Sequence, residues 1–166
     1  MYHVGEYIVH PGQGVCKVDE IVLEPQETYL LLPVGVRHPM RISFPVSSEA
    51  RLRPVLSRGE AEALIGEYPH MDVDTFTERS AALEEEHFKK KIRTGTCRDS
   101  VCVVKTFRRR IAEVRARNKK PPVVYERILK QARERSLAEL AVALEITADD
   151  VRAIFEQQGD EDFSLN

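Results

Sequence analysis

Apolar side chains in the first 55 or so residues come in short runs that predict β-strands. Runs at 7–9 and 21–23 flank the segment 10–14, His-Pro-Gly-Gln-Gly, whose glycines favour a tight turn with positive φ angles. Further runs lie at 29–32 and 40–44, and the second of these alternates apolar and polar residues like a strand with one solvated face. Four or five short strands in this length predict a small β-barrel of the SH3 or Tudor type.

From Ser57 onward the apolar residues recur at helical spacing. The segments Ser57–Glu60 and Thr75–Glu78 both have the Ser/Thr-x-x-Glu pattern that begins helices, and the second predicts a helix from Thr75 to about Arg93. Later apolar positions, interrupted by Pro121 and Pro122, predict further helices. We expect four to five helices in all.

Strands followed by helices predict an α+β chain with two domains. We place a small SH3/Tudor-like β-barrel at residues 1–56 and an all-α domain at residues 57–158. Residues 159–166 are expected to form an acidic, frayed tail.

The charges are strongly segregated, although the formal net charge is only −2. Residues 89–135 contain 17 Lys and Arg but only 4 Asp and Glu, whereas 61–88 and 136–166 each contain 1 basic and 8 acidic residues. Clustered cations of this density are typical of proteins that bind phosphate groups in nucleic acids. The alternative is a set of solvated helix faces with no partner.

Composition and motifs disfavour several classes of protein. The sequence has no apolar run long enough to span a membrane and no secretion signal, and its three cysteines fit no disulfide framework, so we expect a cytoplasmic protein. The histidines and cysteines lack metal-ligand spacing, and no catalytic or nucleotide-binding motif is present. We therefore expect no enzymatic activity, cofactor, metal, membrane or small-molecule substrate.

Two rival functions stay open. Residues 137–155 have the helix-turn-helix order of a free-standing DNA-binding repressor, although Asp149, Asp150 and Glu156 on the second helix would be repelled by phosphates. Alternatively, the basic segment could meet an acidic protein, which would make the chain a protein-interaction adaptor.

The whole pattern resembles the CarD/CdnL family of bacterial transcription regulators. The N-terminal segments that carry the resemblance are VGEYIVHPGQGV (4–15), YLLL (29–32) and MRISFPV (40–46). They are similar to the Tudor-like polymerase-interacting domain that is also found in transcription-repair coupling factor. The C-terminal segments are FKKKIRTG (88–95), VKTF (104–107) and ARERSLAELAVAL (132–144). They resemble the helical DNA-binding domain of the family.

The resemblance implies a non-enzymatic factor that binds the RNA polymerase β subunit and is located at the nucleoid through the polymerase. The helical domain is then expected to contact promoter DNA at the upstream edge of the transcription bubble, largely independently of sequence, and to stabilise the open complex.

Two sets of contact residues are predicted. For the polymerase we expect an exposed strand edge, with Met40, Ile42 and Phe44 turned inward and Arg41 and Ser43 outward. The predicted polymerase-binding residues are Arg41, Ile42, Ser43 and Pro45. The predicted DNA-binding residues are Arg79, Arg93, Lys119, Lys120 and Arg127.

One departure from the family concerns its apolar wedge. The family often places a Trp near the start of the second C-terminal helix, where it enters the minor groove, and this chain has no Trp. Met71 is the first candidate to replace it and Phe76 the second, because Met and Phe can both serve as wedges.

Overall fold

The computed structural model describes residues 1–165 and divides into two compact units, Met1–Leu56 and Ser57–Asn166. Five strands precede the helices, so the predicted α+β order is confirmed.

The N-terminal unit is a five-stranded antiparallel sheet with the strand order β4-β3-β2-β1-β5. A 3₁₀-helix, Val46–Arg51, connects the last two strands. The strands are β1 (Tyr7–His10), β2 (Gly14–Val22), β3 (Thr28–Pro33), β4 (Ile42–Pro45) and β5 (Arg53–Pro54). Within residues 1–165 the sheet has no β4–β5 pair, so barrel closure stays a prediction.

The turn between β1 and β2 forms where the sequence predicts it. Gly14 has a φ of 76°, a value that favours glycine. The His10 Nδ1 accepts hydrogen bonds from the amides of Gly12 at 3.0 Å and Gln13 at 3.1 Å, and this contact fixes the turn. The N-terminal unit has a core of buried residues from the strands and the connection before β5: Ile8, Cys16, Val18, Tyr29, Leu31, Phe44 and Leu52.

The C-terminal unit contains five α-helices in the part of the chain that the structure describes. They are α1 (Arg58–Glu67), α2 (Ala81–Thr94), α3 (Cys97–Ala116), α4 (Val123–Leu144) and α5 (Ala148–Gln157). Capping boxes begin α1, α3 and α5, in each of which a Ser or Thr before the helix accepts from the third helical amide.

The prediction that α2 begins at Thr75 is wrong, because Ser80 caps a helix that begins at Ala81. Tertiary contacts hold the preceding segment in a non-helical path. The Asp74 carboxylate accepts from the Phe76 amide at 2.8 Å, and the Arg110 guanidinium donates to the Phe76 carbonyl at 2.7 Å. A helix through this segment would use that carbonyl for its own ladder.

Side-chain contacts fix the direction of three packed helices. Arg115 pairs with Glu126, whereas the Cys97 thiol reaches the Ser136 carbonyl, so α3 and α4 are antiparallel. The Arg135 guanidinium donates to the Arg93 carbonyl at 3.0 Å near the C-terminus of α2. Arg110 pairs with Glu84 in the first turn of α2, and the Lys91 ammonium lies 3.9 Å from the Cys102 thiol, so α2 is antiparallel to α3. The end of α3 and the starts of α2 and α4 therefore lie at one end of the bundle.

The expectation of a frayed C-terminal tail is wrong for residues 160–164. Phe163 is fully buried and stacks on Phe155, with ring centroids 3.9 Å apart. The Tyr68 hydroxyl also donates to the Asp162 carboxylate at 2.6 Å. Burial of the Phe163 side chain contributes about 1.5–3 kcal/mol, and the hydrogen bonds to Asp162 and Ser164 add to it, so this acidic segment docks on the helices.

Candidate functional site

The predicted polymerase-binding residues lie on or beside β4, at the edge of the sheet. Ile42, Ser43 and Pro45 pair with β3 opposite Leu31, Leu30 and Thr28. Of these three, Ser43 is exposed, while Ile42 and Pro45 are partly buried. An edge strand offers main-chain groups to a strand of another protein.

Arg41 lies just before β4 and is bound to β2. Its guanidinium is 2.6 Å from the Asp19 carboxylate and 3.3 Å from that of Glu20. These contacts hold the loop before β4 against the sheet. Arg41 thus supports the position of the edge strand, and its side chain is still 55% exposed.

The inward orientation predicted for Met40 is wrong. Met40 is 81% exposed, and Val36 in the same loop is 52% exposed. The alternation does not extend to Met40 because β4 begins only at Ile42. Pro39 carried the missing signal, since a proline in such a run marks the limit of a strand. Exposed apolar side chains beside an edge strand are typical of a protein-binding surface.

Many cations of the basic segment serve the fold of the helical unit. Lys105 donates to the Tyr68 and Pro69 carbonyls, and Arg98 pairs with Glu67. Arg110 pairs with Glu84, and its guanidinium lies over the Phe88 and Phe107 rings at 5.0 and 5.1 Å from their centroids. These cations are therefore occupied within the protein.

A second group of cations is exposed and clusters at the loop between α3 and α4. Asn118 has a φ of 57° and ends α3, which leaves Arg117, Lys119 and Lys120 on a short loop. All three cations are exposed, and none is in an ion pair within residues 1–165. Two prolines follow this loop and limit its motion. The cations are available to a partner.

Four of the five predicted DNA-binding residues lie at this end of the bundle. Arg127 is close enough to Glu85 in α2 to lower the pKa of that carboxyl, after the larger effect of the Lys89 hydrogen bond. This places the first turn of α2, with Arg79 just before it, beside the first turn of α4. We call Arg79, Arg117, Lys119, Lys120 and Arg127 the basic end.

The fifth residue, Arg93, lies at the opposite end of α2. It is eight residues beyond Glu85, or about 12 Å along the helix. Its guanidinium is 4.0 Å from the Glu86 carboxylate, and its carbonyl accepts from Arg135. The structure does not bring Arg93 together with the basic end.

An exposed apolar turn accompanies the basic end and was missed by sequence reasoning. Ala81, Ala82 and Leu83 open α2 with exposed side chains, and Leu83 is 59% exposed. Val123, the first residue of α4, is 67% exposed. A helix start at Thr75 would have hidden this turn mid-helix, so only the corrected boundary reveals it.

The acidic residues that follow Leu83 do not oppose phosphate binding as strongly as the sequence suggests. Glu84 pairs with Arg110, Glu85 with Lys89 at 2.7 Å, and Glu86 lies 4.0 Å from Arg93. Each carboxylate therefore has a cation of its own.

Both predicted wedge residues are packed inside the helical unit. Met71 is only 7% exposed, as a residue of the core would be. Phe76 is partly buried and stacks on the His87 ring with centroids 3.7 Å apart. Either side chain would have to leave its contacts before it could enter a groove, so the wedge assignments stay predictions.

Asp74 anchors the segment that leads to Arg79. Its carboxylate accepts from the Lys91 ammonium at 2.7 Å, and its amide donates to the Thr106 hydroxyl at 2.9 Å. Burial raises the pKa of Asp74, but the hydrogen bonds from Lys91, the Phe76 amide and His87 outweigh it and lower that pKa to about 2. The charged carboxylate therefore ties this segment to α2 and α3.

The rival helix-turn-helix surface is acidic. Glu145, with a φ of 57°, ends α4, and α5 buries Val151 and Phe155. Its outward residues include Asp149, Asp150 and Glu156, and the cation Arg152 pairs with Asp149. This arrangement does not favour α5 as a helix that enters the major groove.

Residues 1–165 show no cluster of three or more His, Cys, Asp and Glu side chains suited to a metal ion. Over the same residues, each helix is too short or too polar to cross a membrane.

Comparison with known proteins assigns the N-terminal unit. A search of curated proteins gives no match to the chain. The family model described as the CarD-like/TRCF RID domain matches residues 2–56, which cover the whole sheet. This match confirms the resemblance for the N-terminal unit and supports a transcription-related role in binding RNA polymerase. Residues 2–56 therefore match the CarD-like RNA polymerase-interacting domain, and the match does not extend into the helical unit.

Proposed function

We propose that this protein is a bacterial transcription regulator that binds the RNA polymerase β subunit with its N-terminal unit and promoter DNA with its helical unit. The observation that carries the proposal is the family match at residues 2–56. The protein acts without enzymatic chemistry or cofactor, in the cytoplasm, where the polymerase holds it at the nucleoid.

The polymerase contact uses β4 and the loop before it. Main-chain groups of an edge strand supply affinity, and the exposed side chains of Ser43, Met40 and Val36 select the partner. Arg41 acts mainly by holding the loop through Asp19 and Glu20.

The sheet closes into a barrel around its core. In support, the His10 ring at the end of β1 lies 5.4 Å from the Phe44 ring in β4, although two strands separate β1 from β4 in the sheet order. Such a contact requires strong curvature, which is typical of a small barrel.

The DNA contact uses the basic end at the upstream edge of the transcription bubble. Lysine and arginine contacts to phosphates bind DNA of any sequence, and the polymerase supplies the promoter address. A protein that grips the melted fork more tightly than the duplex shifts the population toward the open complex. Leu83 is the best-placed apolar side chain to enter the groove in place of the missing Trp, since leucine can act as such a wedge.

The test is to capture the RNA polymerase core with the full chain and with two charge-matched variants. Ser43→Glu adds a carboxylate on the edge strand, whereas Ala50→Glu adds one on an exposed position of the 3₁₀-helix. We expect Ser43→Glu to weaken binding of the β subunit about tenfold and Ala50→Glu to leave it nearly unchanged, since an unfavourable central contact costs more than about 1 kcal/mol. Failure of the full chain to bind polymerase would refute the proposal.

A further inference from the structure

Three arginines from three helices lie close together in the helical unit, and the C-terminal segment contacts two of them. They are Arg108 in α3, Arg133 in α4 and Arg152 in α5. Burial is the main cause of a lowered pKa at Arg133, and the charges of Arg108 and Arg152 lower it further. The three guanidinium groups are thus close enough to repel one another, and we call them the arginine cluster.

The C-terminal segment covers this cluster with backbone carbonyls. The Arg108 guanidinium donates to the Asp162 carbonyl at 2.9 Å and to the Ser164 carbonyl at 2.9 Å. Arg133 donates to the same Ser164 carbonyl at 3.1 Å. We call residues 160–164 the strap, because they lie across the cluster in this way.

Part of the donor capacity of the cluster is unused. The Nε atoms of Arg133 and Arg152 are buried and have no hydrogen-bond partner among residues 1–165. A buried donor without an acceptor is costly and is rare in native proteins. The strap therefore satisfies this cluster less completely than an anion with several oxygens could.

The strap and α3 face each other across a groove with walls of opposite charge. A cavity of about 610 Å³ lies between Arg108 and Arg115 on one side and Glu156, Glu161 and Asp162 on the other. The carboxylates that line this groove thus share it with cations of α3. Arg115 also belongs to the last turn of α3, directly before the basic end.

The strap has one buried apolar side chain. Phe163 is the one buried residue within 159–165, where it packs against Phe155 and Tyr68. Its near neighbour Leu165 is 72% exposed. Removal of this ring would therefore take away the main apolar contact of the strap and leave hydrogen bonds, among them those from Tyr68, Arg108 and Arg133, to hold it.

We propose that the arginine cluster is a second phosphate-binding site, for the nucleic-acid backbone, which the strap occludes in the free protein. DNA phosphates displace the strap and take over its guanidinium donors. Phosphate oxygens carry charge and can accept two parallel hydrogen bonds from one guanidinium, which adds an ion pair that a neutral backbone carbonyl does not supply. This inference rests on the proposed DNA contact and extends it from the basic end along α3.

The test compares Phe163→Ala, which releases the anchor, with Leu165→Ala, which alters an exposed residue of the same segment. Binding of each full chain to a fork-shaped DNA duplex is measured between about 50 and 200 mM salt, concentrations over which phosphate contacts weaken strongly. We expect Phe163→Ala to bind about tenfold more tightly, with a salt slope steeper by about 2 to 3, because each phosphate contact adds about 0.9. Leu165→Ala should match the unaltered chain, and addition of Arg133→Gln to Phe163→Ala should remove part of the gain.

A second measurement decides the matter if Phe163→Ala fails to fold. In the unaltered chain, the Asp160 amide donates to the Phe155 carbonyl and the Ser164 amide to the Glu161 carbonyl. Both amides should exchange hydrogen faster when fork DNA is added. Unchanged or slower exchange, or equal salt slopes for the two variants, would refute the proposal that the strap occludes a phosphate-binding site. Failure of the unaltered chain to bind fork DNA at low salt overturns the proposed function instead.

Discussion

The two units of this protein offer different kinds of binding surface. The sheet presents an edge strand whose position depends on turns, register and a small core. Short sequence motifs in a fixed order specify these features. The helical unit presents cations at the bundle's basic end, where several arrangements of Lys and Arg would serve equally well. A family match therefore supports the role of the first unit, whereas the role of the second rests on where the structure places its charges.

Removal of a core aromatic ring should destabilise the helical unit without affecting the N-terminal unit. Phe107 is buried among Phe88, Tyr125 and Arg110. Phe107→Ala should destabilise the helical unit by about 3–5 kcal/mol, because it leaves a cavity in the core. We expect denaturant unfolding to show this change while capture of polymerase persists. Failure of the folded N-terminal unit to capture polymerase would show that the two functions are not separable.

Acid should weaken the helical unit through Asp74. The pKa of Asp74 is lowered to about 2 from 3.8, so its charged form stabilises the fold above about pH 4 and this stability is lost as the pH falls toward 2. The difference corresponds to about 2 kcal/mol. We expect Asp74→Asn to be less stable at pH 7 and to lack that part of the pH dependence between about 4 and 2. A pH profile identical to that of the unaltered chain would contradict this role.

The edge strand should be sensitive to charge at Ser43 but not at the 3₁₀-helix. We expect Ser43→Glu and Ala50→Glu to differ by about 1.4 kcal/mol in the free energy of binding to the polymerase, which is a tenfold change in affinity. Equal weakening by both variants would move the interface away from β4. Thermal melts of both variants provide the control for folding.

Leu83 should matter for the open complex and not for stability. Its side chain is 59% exposed, so Leu83→Ala changes little in the folded protein. If Leu83 enters the groove, the lifetime of the open complex should fall a few-fold, and Leu83→Met should restore most of it, since both side chains can act as wedges. An unchanged lifetime of the open complex with Leu83→Ala would show that Leu83 does not act as the wedge.

The sequence predicted the features that depend on local chemistry. The turn at 10–14 formed because Gly14 adopts a positive φ, and α3 formed because its apolar residues repeat on one face below a Thr96 cap. The order of strands and helices along the chain followed from the same patterns.

The errors occurred where distant contacts overrode a local signal. The capping pattern at Thr75 does not begin a helix, because Asp74 and Arg110 bind the backbone of Phe76 and hold this segment in a non-helical path. Phe163 finds its pocket against Phe155 and Tyr68, residues that no periodicity connects with it. The distance of Arg93 from the basic end could not be predicted either, because it depends on the direction of α2 in the bundle, which composition does not give.

If the basic end binds DNA through phosphates, the affinity for fork DNA must depend on salt through these cations. Lys119→Ala with Lys120→Ala should lower affinity alike for all sequences and reduce the salt slope by about 2, because each lysine–phosphate pair contributes about 1 to that slope. Lys90→Ala with Lys130→Ala removes the same charge from exposed positions on α2 and α4 outside the basic end and should change the slope less. The first pair should also shorten the lifetime of the open complex without weakening polymerase binding. A changed preference among DNA sequences with an unchanged salt slope would show that these lysines do not contact phosphates.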